Sequence, residues 1–173
     1  MNARVFIALG ANLGDRSASI DRAIELLALR ESIELIAVSS LFETAPVGPP
    51  QPHYLNAVAE ICTSDPPRKL LNSLLAIEQQ LGRVRDASRR NAARTIDLDV
   101  LLYGAVVFAE HDLEIPHPRM TERAFVLRPL LELDARLTHP VTGELLVSLA
   151  CAKRENDGVV LWRTRTTHLT SRQ

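Results

Sequence analysis

The chain is short of cysteine, of aromatic residues and of net charge, and each shortage excludes something. Two cysteines, Cys62 and Cys151, stand far apart and outside any metal-type spacing. That excludes a disulfide framework or a cysteine metal site. Cys62 lies in an apolar strand-like run and Cys151 near the end of a helix-like one, so both are expected as buried free thiols in a reducing cytoplasm. Aromatics make up 4% of the residues, too few for the exposed aromatic platform of an RNA-binding sheet. Twenty basic against 21 acidic side chains leave a formal net charge of -1, so no global basic field argues for a long polyanion as partner. Long apolar runs are missing as well. The first strand-like stretch, residues 5–9, is interrupted by Gly10-Ala11-Asn12 and is too short to span a membrane. No targeting segment, internal repeat or low-complexity block is visible.

What is present fits one globular domain. The 173 residues are 46% hydrophobic and 24% charged, ordinary values for a chain of a size that can bury a full core. A single domain over 1–163 is expected, with a polar end, 164–173, that frays.

Periodicity gives the elements. A strand over 5–9 leads through a turn into a helix over 17–29, with Ile20, Ala23, Ile24, Leu27 and Ala28 at helical spacing. A strand over 33–40 precedes a loop, 44–52, that holds four of the ten prolines and cannot form a ladder. A strand over 55–62 follows. Asp65-Pro66-Pro67 reads as an N-cap with proline in the first turn, opening a helix whose stripe is Leu70, Leu74, Ile77 and Leu81 and which Gly82 ends. A strand over 96–103, a turn at Gly104, a short return strand at 106–108 and an extended 113–118 come next. Helical turns over 122–133 broken by Pro129, a short helix over 145–152 and a last strand over 159–162 complete the reading. Strand-helix-strand-strand-helix-strand is the order of a split βαβ, ferredoxin-like α+β layout, with a mostly antiparallel sheet and helices packed on it in three αβα layers.

One stretch carries chemistry. In Ile96-Asp97-Leu98-Asp99-Val100-Leu101-Leu102-Tyr103, two acids sit two apart in a strand-like run, so both carboxylates share a face. Paired anions are costly unless a cation neutralises them. Mg²⁺ suits such a pair, because it is usually held by one or two carboxylates together with substrate phosphates. Arg83, Arg85, Arg89, Arg90 and Arg94 stand just upstream, and planar, permanently charged guanidinium groups grip phosphate oxygens. Together they point to phosphoryl or pyrophosphoryl transfer from a nucleotide. Alone, Asp-x-Asp more often marks an exposed strand edge or a turn, and an arginine-rich loop is usually just solvated.

Four separated motifs then converge. They are Phe6-Ile7-Ala8-Leu9-Gly10-Ala11-Asn12-Leu13-Gly14-Asp15; Glu43-Thr44-Ala45-Pro46-Val47-Gly48-Pro49 followed by Tyr54-Leu55-Asn56-Ala57; Glu78 and Gly82-Arg83-Val84-Arg85 with Arg90-Asn91-Ala92-Ala93-Arg94-Thr95-Ile96-Asp97-Leu98-Asp99; and Ile115-Pro116-His117-Pro118-Arg119-Met120 with Arg123-Ala124-Phe125-Val126-Leu127. In order and spacing they resemble the 6-hydroxymethyl-7,8-dihydropterin pyrophosphokinases of folate biosynthesis, over nearly the whole chain.

The resemblance implies an ATP-dependent transfer of pyrophosphate to the hydroxymethyl group of a reduced pterin, giving AMP and the pterin diphosphate. It also implies two Mg²⁺ ions bound with ATP, a ferredoxin-like fold and a monomer, with neither nucleic acid nor membrane as partner. Asp97 and Asp99 match the metal pair. Arg83 and Arg94 match the arginines on the transferring and leaving phosphates. Arg85 and Arg90 match arginines that close over ATP, with Arg89 as an alternative match to Arg90. Glu78, His117 and Arg123 match further nucleotide contacts. Thr44, Ala45 and Val47 match the loop that reads the pterin edges, Asn56 the amide that pairs with it, and Tyr54 and Phe125 the aromatics beside its ring. Asn91-Ala92-Ala93 replaces an aromatic-Gly-Pro, Leu75 a glutamine found in some members, Asp112 and Glu114 an arginine and a threonine, and Pro118 a tyrosine.

Two other classes remain. A ligand-sensing module on the same scaffold predicts erosion of the metal pair or of the inner arginines, and all four are present. A small RNA-binding domain needs basic residues interleaved with aromatics on a sheet, and here they gather in one loop.

Overall fold

Strand β1 (Ala3–Ala11) lies between β4 (Tyr54–Thr63) and β5 (Asp97–Tyr103), antiparallel to both. The computed structural model describes residues 2–46, 50–83, 93–151, 158–165 and 167–168. Beyond β4 the sheet continues to β2 (Ile33–Val38). The order β5-β1-β4-β2 is the one a split βαβ repeat demands, and the ferredoxin-like expectation holds. The upper half of β4 pairs instead with β3 (Leu41–Thr44), and β3 with β8 (Val160–Arg163). The final strand β9 (Thr167–His168), within the stretch expected to fray, pairs with Ala37 and Val38 of β2.

Helices α1 (Arg16–Ala28) and α2 (Pro67–Gln80) cover one face. Asp15 caps α1, accepting a 3.0 Å hydrogen bond from the Ala18 N–H. Its buried stripe is Ile20, Ala23, Leu26 and Leu27, with Ala28 exposed, so the stripe leans toward Leu26. Helix α2 buries Leu70, Leu71, Leu74 and Ile77, each worth about 2 kcal/mol of transfer free energy. Asp65 does not cap it. Pro66 occupies the cap position without a side-chain bond. The Asp65 carboxylate turns to the Ser32 hydroxyl (2.6 Å) and the Lys69 ammonium (2.7 Å), donors stronger than an N–H of the first turn. Gly82, at φ 81°, ends α2 as expected.

The opposite face carries α3 (Ala124–Leu133), α4 (Leu146–Cys151) and a 3₁₀ turn at Met120–Glu122, packed through Val126, Leu127, Leu130 and Leu146 onto Phe6, Val58, Leu101 and Leu102. Pro129 does not break α3. It sits just past the first turn, where the Phe125 carbonyl alone forfeits its helical donor. The expected return strand at 106–108 is displaced. Strand β6 (Phe108–Glu110) pairs with β7 (Leu113–Ile115) in a separate hairpin. Arg68 at the start of α2 anchors it, holding Glu110 and Asp112. Cys62 is a free, half-buried thiol rather than a fully buried one.

One irregularity positions the site. Phe6 pairs with Leu102 but Ile7 pairs with Val100, so Leu101 is an extra residue in β5, a bulge. Above it, Asp97, Asp99 and Leu101 alternate with Leu98 and Val100, which pack under α1 and α2. Below it, Leu102 returns to the α3 face and Tyr103 to the α1/α2 face. The bulge gives both halves of β5 a buried side while the acids face the α3 side of the sheet.

Candidate active site

The α3 layer leaves the upper part of the sheet uncovered. The floor there is an open cavity of about 740 Å³, lined by Ala8, Gly10, Asn56, Asp97, Asp99 and Leu101. Register explains the lining: Gly10 of β1 lies between Asn56 of β4 and Asp97 of β5, and Ala8 lies between Val58 and Asp99. The two small residues of β1 leave room beside the acids. Thr44, Ala45 and Tyr54 form one wall. Arg83 and Arg94 rise from the β5 side, and His117, Arg119, Glu122, Arg123 and Phe125 close the other.

Most of the residues singled out in the sequence therefore meet in one place. Val47, Arg85, Arg89 and Arg90 lie outside the described residues. Glu78 stands apart. It was expected among the nucleotide contacts, but it is 1% exposed and lies beneath the cavity rather than on its lining. Its Oε1 accepts from the Leu98 N–H at 2.8 Å and pairs with Arg83. A carboxylate on the inner face of α2 is stable there because a guanidinium and a backbone donor satisfy it.

Asp97 is the electrostatic hub. One of its carboxylate oxygens pairs with Arg83 and the other with Arg94. Asp99 has a different setting. Burial, with Asp97 and Glu78 nearby, pushes its carboxyl up to about 6, against the opposing pull of Arg123 and Arg83. For Arg94, burial disfavours the charge, but Asp97, Tyr54 and Asp99 outweigh it and its pKa rises. Burial likewise lowers the His117 imidazole, with Arg123 adding to the effect. The His117 N–H donates to the Leu101 carbonyl at 2.9 Å, so the bulged residue also anchors the histidine. His117 Nδ1 accepts from the Arg119 N–H at 3.1 Å, which leaves the neutral ring with its proton on Nε2. The Arg123 guanidinium lies 5.6 Å from the centre of the Phe125 ring, a cation-π distance. On the opposite wall, Asn56 Nδ2 donates to Thr44 Oγ1 at 2.9 Å.

Asp97 and Asp99 are the residues that could hold a metal. Among the described residues no group of three or more histidine, cysteine, aspartate or glutamate side chains has metal-site geometry. The donor set fits a hard cation that takes one or two carboxylates and fills its remaining positions from phosphate and water. It does not fit a caged structural metal.

Sequence reasoning missed Asn12 as a site element, although it lies in the first motif. It is 1% exposed and binds the backbone of Arg94 as well as the proline-rich loop. The signal was an amide directly after a buried strand, where a polar side chain needs partners. Glu122 and Arg119, also on the lining, were given no role, although Arg119 lies in the fourth motif.

Similarity to known proteins follows the same geometry. Residues 6–135 match the profile of the 7,8-dihydro-6-hydroxymethylpterin-pyrophosphokinase family. The 2-amino-4-hydroxy-6-hydroxymethyldihydropteridine pyrophosphokinase of Bacillus subtilis is 39% identical over 166 residues, covering 95% of this chain and 93% of its own. The folic acid synthesis protein fol1 of Pneumocystis carinii is 43% identical over 148 residues, 85% of this chain, but the match spans 20% of that longer protein. A crystal structure of Plasmodium falciparum HPPK-DHPS superposes with a TM-score of 0.69 over 88% of this chain and 44% of that one. At 16% identity that likeness speaks for the fold alone.

Proposed function

Since the chain belongs to the 7,8-dihydro-6-hydroxymethylpterin-pyrophosphokinase family, we propose that it transfers pyrophosphate from ATP to 6-hydroxymethyl-7,8-dihydropterin in folate biosynthesis, releasing AMP. The observation that carries this reading is that Asp97, clasped by Arg83 and Arg94, and Asp99 beside it line one cavity with Thr44, Tyr54 and Asn56. Anion-handling groups and groups able to pair with a flat polar ring line one space.

The residues divide the work. Arg83 and Arg94 exchange the Asp97 carboxylate for phosphate oxygens when ATP arrives, and their fixed charge favours the transition state, where charge grows on those oxygens. Asp97 and Asp99 would hold two Mg²⁺ ions, which when bound supply charge neutralisation across the ATP oxygens. His117, through the proton on Nε2, and Arg123 donate to the nucleotide, joined by Arg85 and Arg90. Glu78 holds Arg83 from below. Asn56, with one N–H on Thr44, has its second N–H and its Oδ1 to pair with the pterin edge. Thr44, Ala45 and Val47 present backbone groups to the same edge, and Phe125 and Tyr54 flank the ring. The described residues contain no helix long and apolar enough to cross a membrane. We place the protein in the cytoplasm as a monomer.

The test is an assay of purified protein with ATP, Mg²⁺ and the hydroxymethyl pterin, following AMP. AMP that depends on the pterin and disappears with chelator or with Asp97→Ala supports the reading. ADP in place of AMP means a different scissile bond, and no turnover despite tight ligand binding means a binding module.

A further inference from the structure

Asn12 sits behind the cavity, out of contact with its lining space, yet it joins the two walls that face each other across it. Its Oδ1 accepts from the Arg94 N–H at 2.7 Å, and its own N–H donates to the Arg94 carbonyl at 3.1 Å. Its Nδ2 donates to Gln51 Oε1 at 2.9 Å and to the Pro52 carbonyl at 3.2 Å. Gln51 Oε1 in turn accepts from the Tyr54 hydroxyl at 3.4 Å. One buried amide thus clasps the segment that aims Arg94 and the end of the proline-rich loop, and reaches a cavity aromatic through one further residue.

The geometry points to Asn12 as a positioning residue that makes the Arg94 segment and the proline-rich loop move together, so that the nucleotide and the pterin each tighten the binding of the other. This rests on the pyrophosphokinase reading for the identity of the two ligands. The amide is required by its chemistry. Only a group that accepts at one atom and donates twice at another serves the Arg94 N–H, Gln51 and Pro52 at once. A carboxylate keeps the Arg94 contact but turns an acceptor onto the Pro52 carbonyl. Burial makes the arrangement stiff, because an amide without water must keep its partners.

The test measures the binding of a non-hydrolysable ATP analogue with Mg²⁺ and of the pterin by calorimetry, each alone and each with the other present, in wild type, Asn12→Ala, Asn12→Asp and Gln51→Leu. Steady-state AMP formation is followed in parallel. Wild type should show mutual enhancement of about 5-fold or more. In Asn12→Ala the enhancement should fall to near one and kcat on the order of 100-fold, the scale of a 1 Å misplacement. Asn12→Asp should retain affinity for the nucleotide alone while losing pterin affinity and the enhancement. Gln51→Leu leaves the Asn12–Arg94 contacts intact and should lose part of the enhancement with the fold preserved, so the inference stands or falls on it if the Asn12 variants do not fold. Enhancement equal to wild type in the folded variants, or its absence in wild type, would overturn the inference. Failure of wild type to form AMP strikes the pyrophosphokinase reading instead, while the binding data still decide the role of Asn12.

Discussion

Asp97 and Asp99 share one face of β5, but Asp97 is clasped by Arg83 and Arg94 while the carboxyl of Asp99 is pushed up to about 6 by burial and by its acidic neighbours. One acid is neutralised by arginine, and the other is buried beside further acids, where a cation would relieve its charge. The pair is therefore asymmetric before any ligand binds.

That asymmetry predicts opposite effects of two similar substitutions. Asp99→Asn removes a carboxylate that is costly to ionise, so it should stabilise the metal-free protein at pH 7 by about 1–3 kcal/mol. Asp97→Asn leaves two partly buried guanidinium groups without their shared partner and should destabilise by about 2 kcal/mol. Urea denaturation of the two variants in chelator decides it, and changes of the same sign would refute the asymmetry.

The pH dependence has a definite sign. The folded-state pKa of Asp99 lies above its ordinary value, so between about 4 and 6 the folded chain holds a proton that the unfolded chain has lost. The Asp99 contribution therefore lowers metal-free stability as pH rises through that window. Mg²⁺ binding has the reverse trend, because the proton competes for the same carboxylate. Affinity for Mg²⁺ with nucleotide should fall as pH drops below about 6, by up to tenfold per unit. Calorimetry from pH 5 to 8 checks this, and the slope should vanish in Asp99→Asn.

Glu78 should matter for stability more than its lack of contact with the cavity implies. Glu78→Ala leaves the buried Leu98 N–H unsatisfied and Arg83 with Asp97 alone, and about 3 kcal/mol should be lost. Glu78→Gln keeps an acceptor for Leu98 and should lose less. Equal losses would mean that the Leu98 contact contributes nothing.

Arg94→Ala is expected to lower kcat at least tenfold while changing the KM for ATP by much less, if the guanidinium acts mainly on charge that develops during transfer. Steady-state kinetics separate the two. A change confined to KM would assign Arg94 to ground-state binding.

Phe125→Ala should weaken pterin binding about tenfold through lost ring contact and leave binding of the nucleotide analogue nearly unchanged. Fluorescence titration with each ligand separates the effects. Equal weakening of both would place Phe125 in the packing of α3 rather than beside the ring.

The parts of this molecule governed by local pattern were legible in the sequence. Leu70, Leu74 and Ile77 announced the buried side of α2, and the spacing of Asp97 and Asp99 placed them on one face. What escaped was decided by partners distant in the chain. Strand β3 is four residues long and contains Glu43; it exists because Tyr54–Asn56 offer it an edge. Asp65 had the local pattern of a cap, but Ser32 and Lys69 outbid the N–H groups of the first turn. The bulge at Leu101 was hidden because Val100, Leu101, Leu102 and Tyr103 are all large and apolar, so no alternation marked the slip. Glu78 matched a nucleotide contact by position, and its burial against Leu98 and Arg83 depends on residues 5 and 20 places along the chain.

The bulge also separates two kinds of selection along a single strand. Past Leu101, Leu102 packs against α3 and Phe6, and before it Asp97 and Asp99 face the cavity. Because pairing is offset at that point, exchanges among Leu102, Phe6 and Leu130 can be absorbed locally without turning the acids. The packing of the lower half can then be redesigned for stability while the two carboxylates keep their direction.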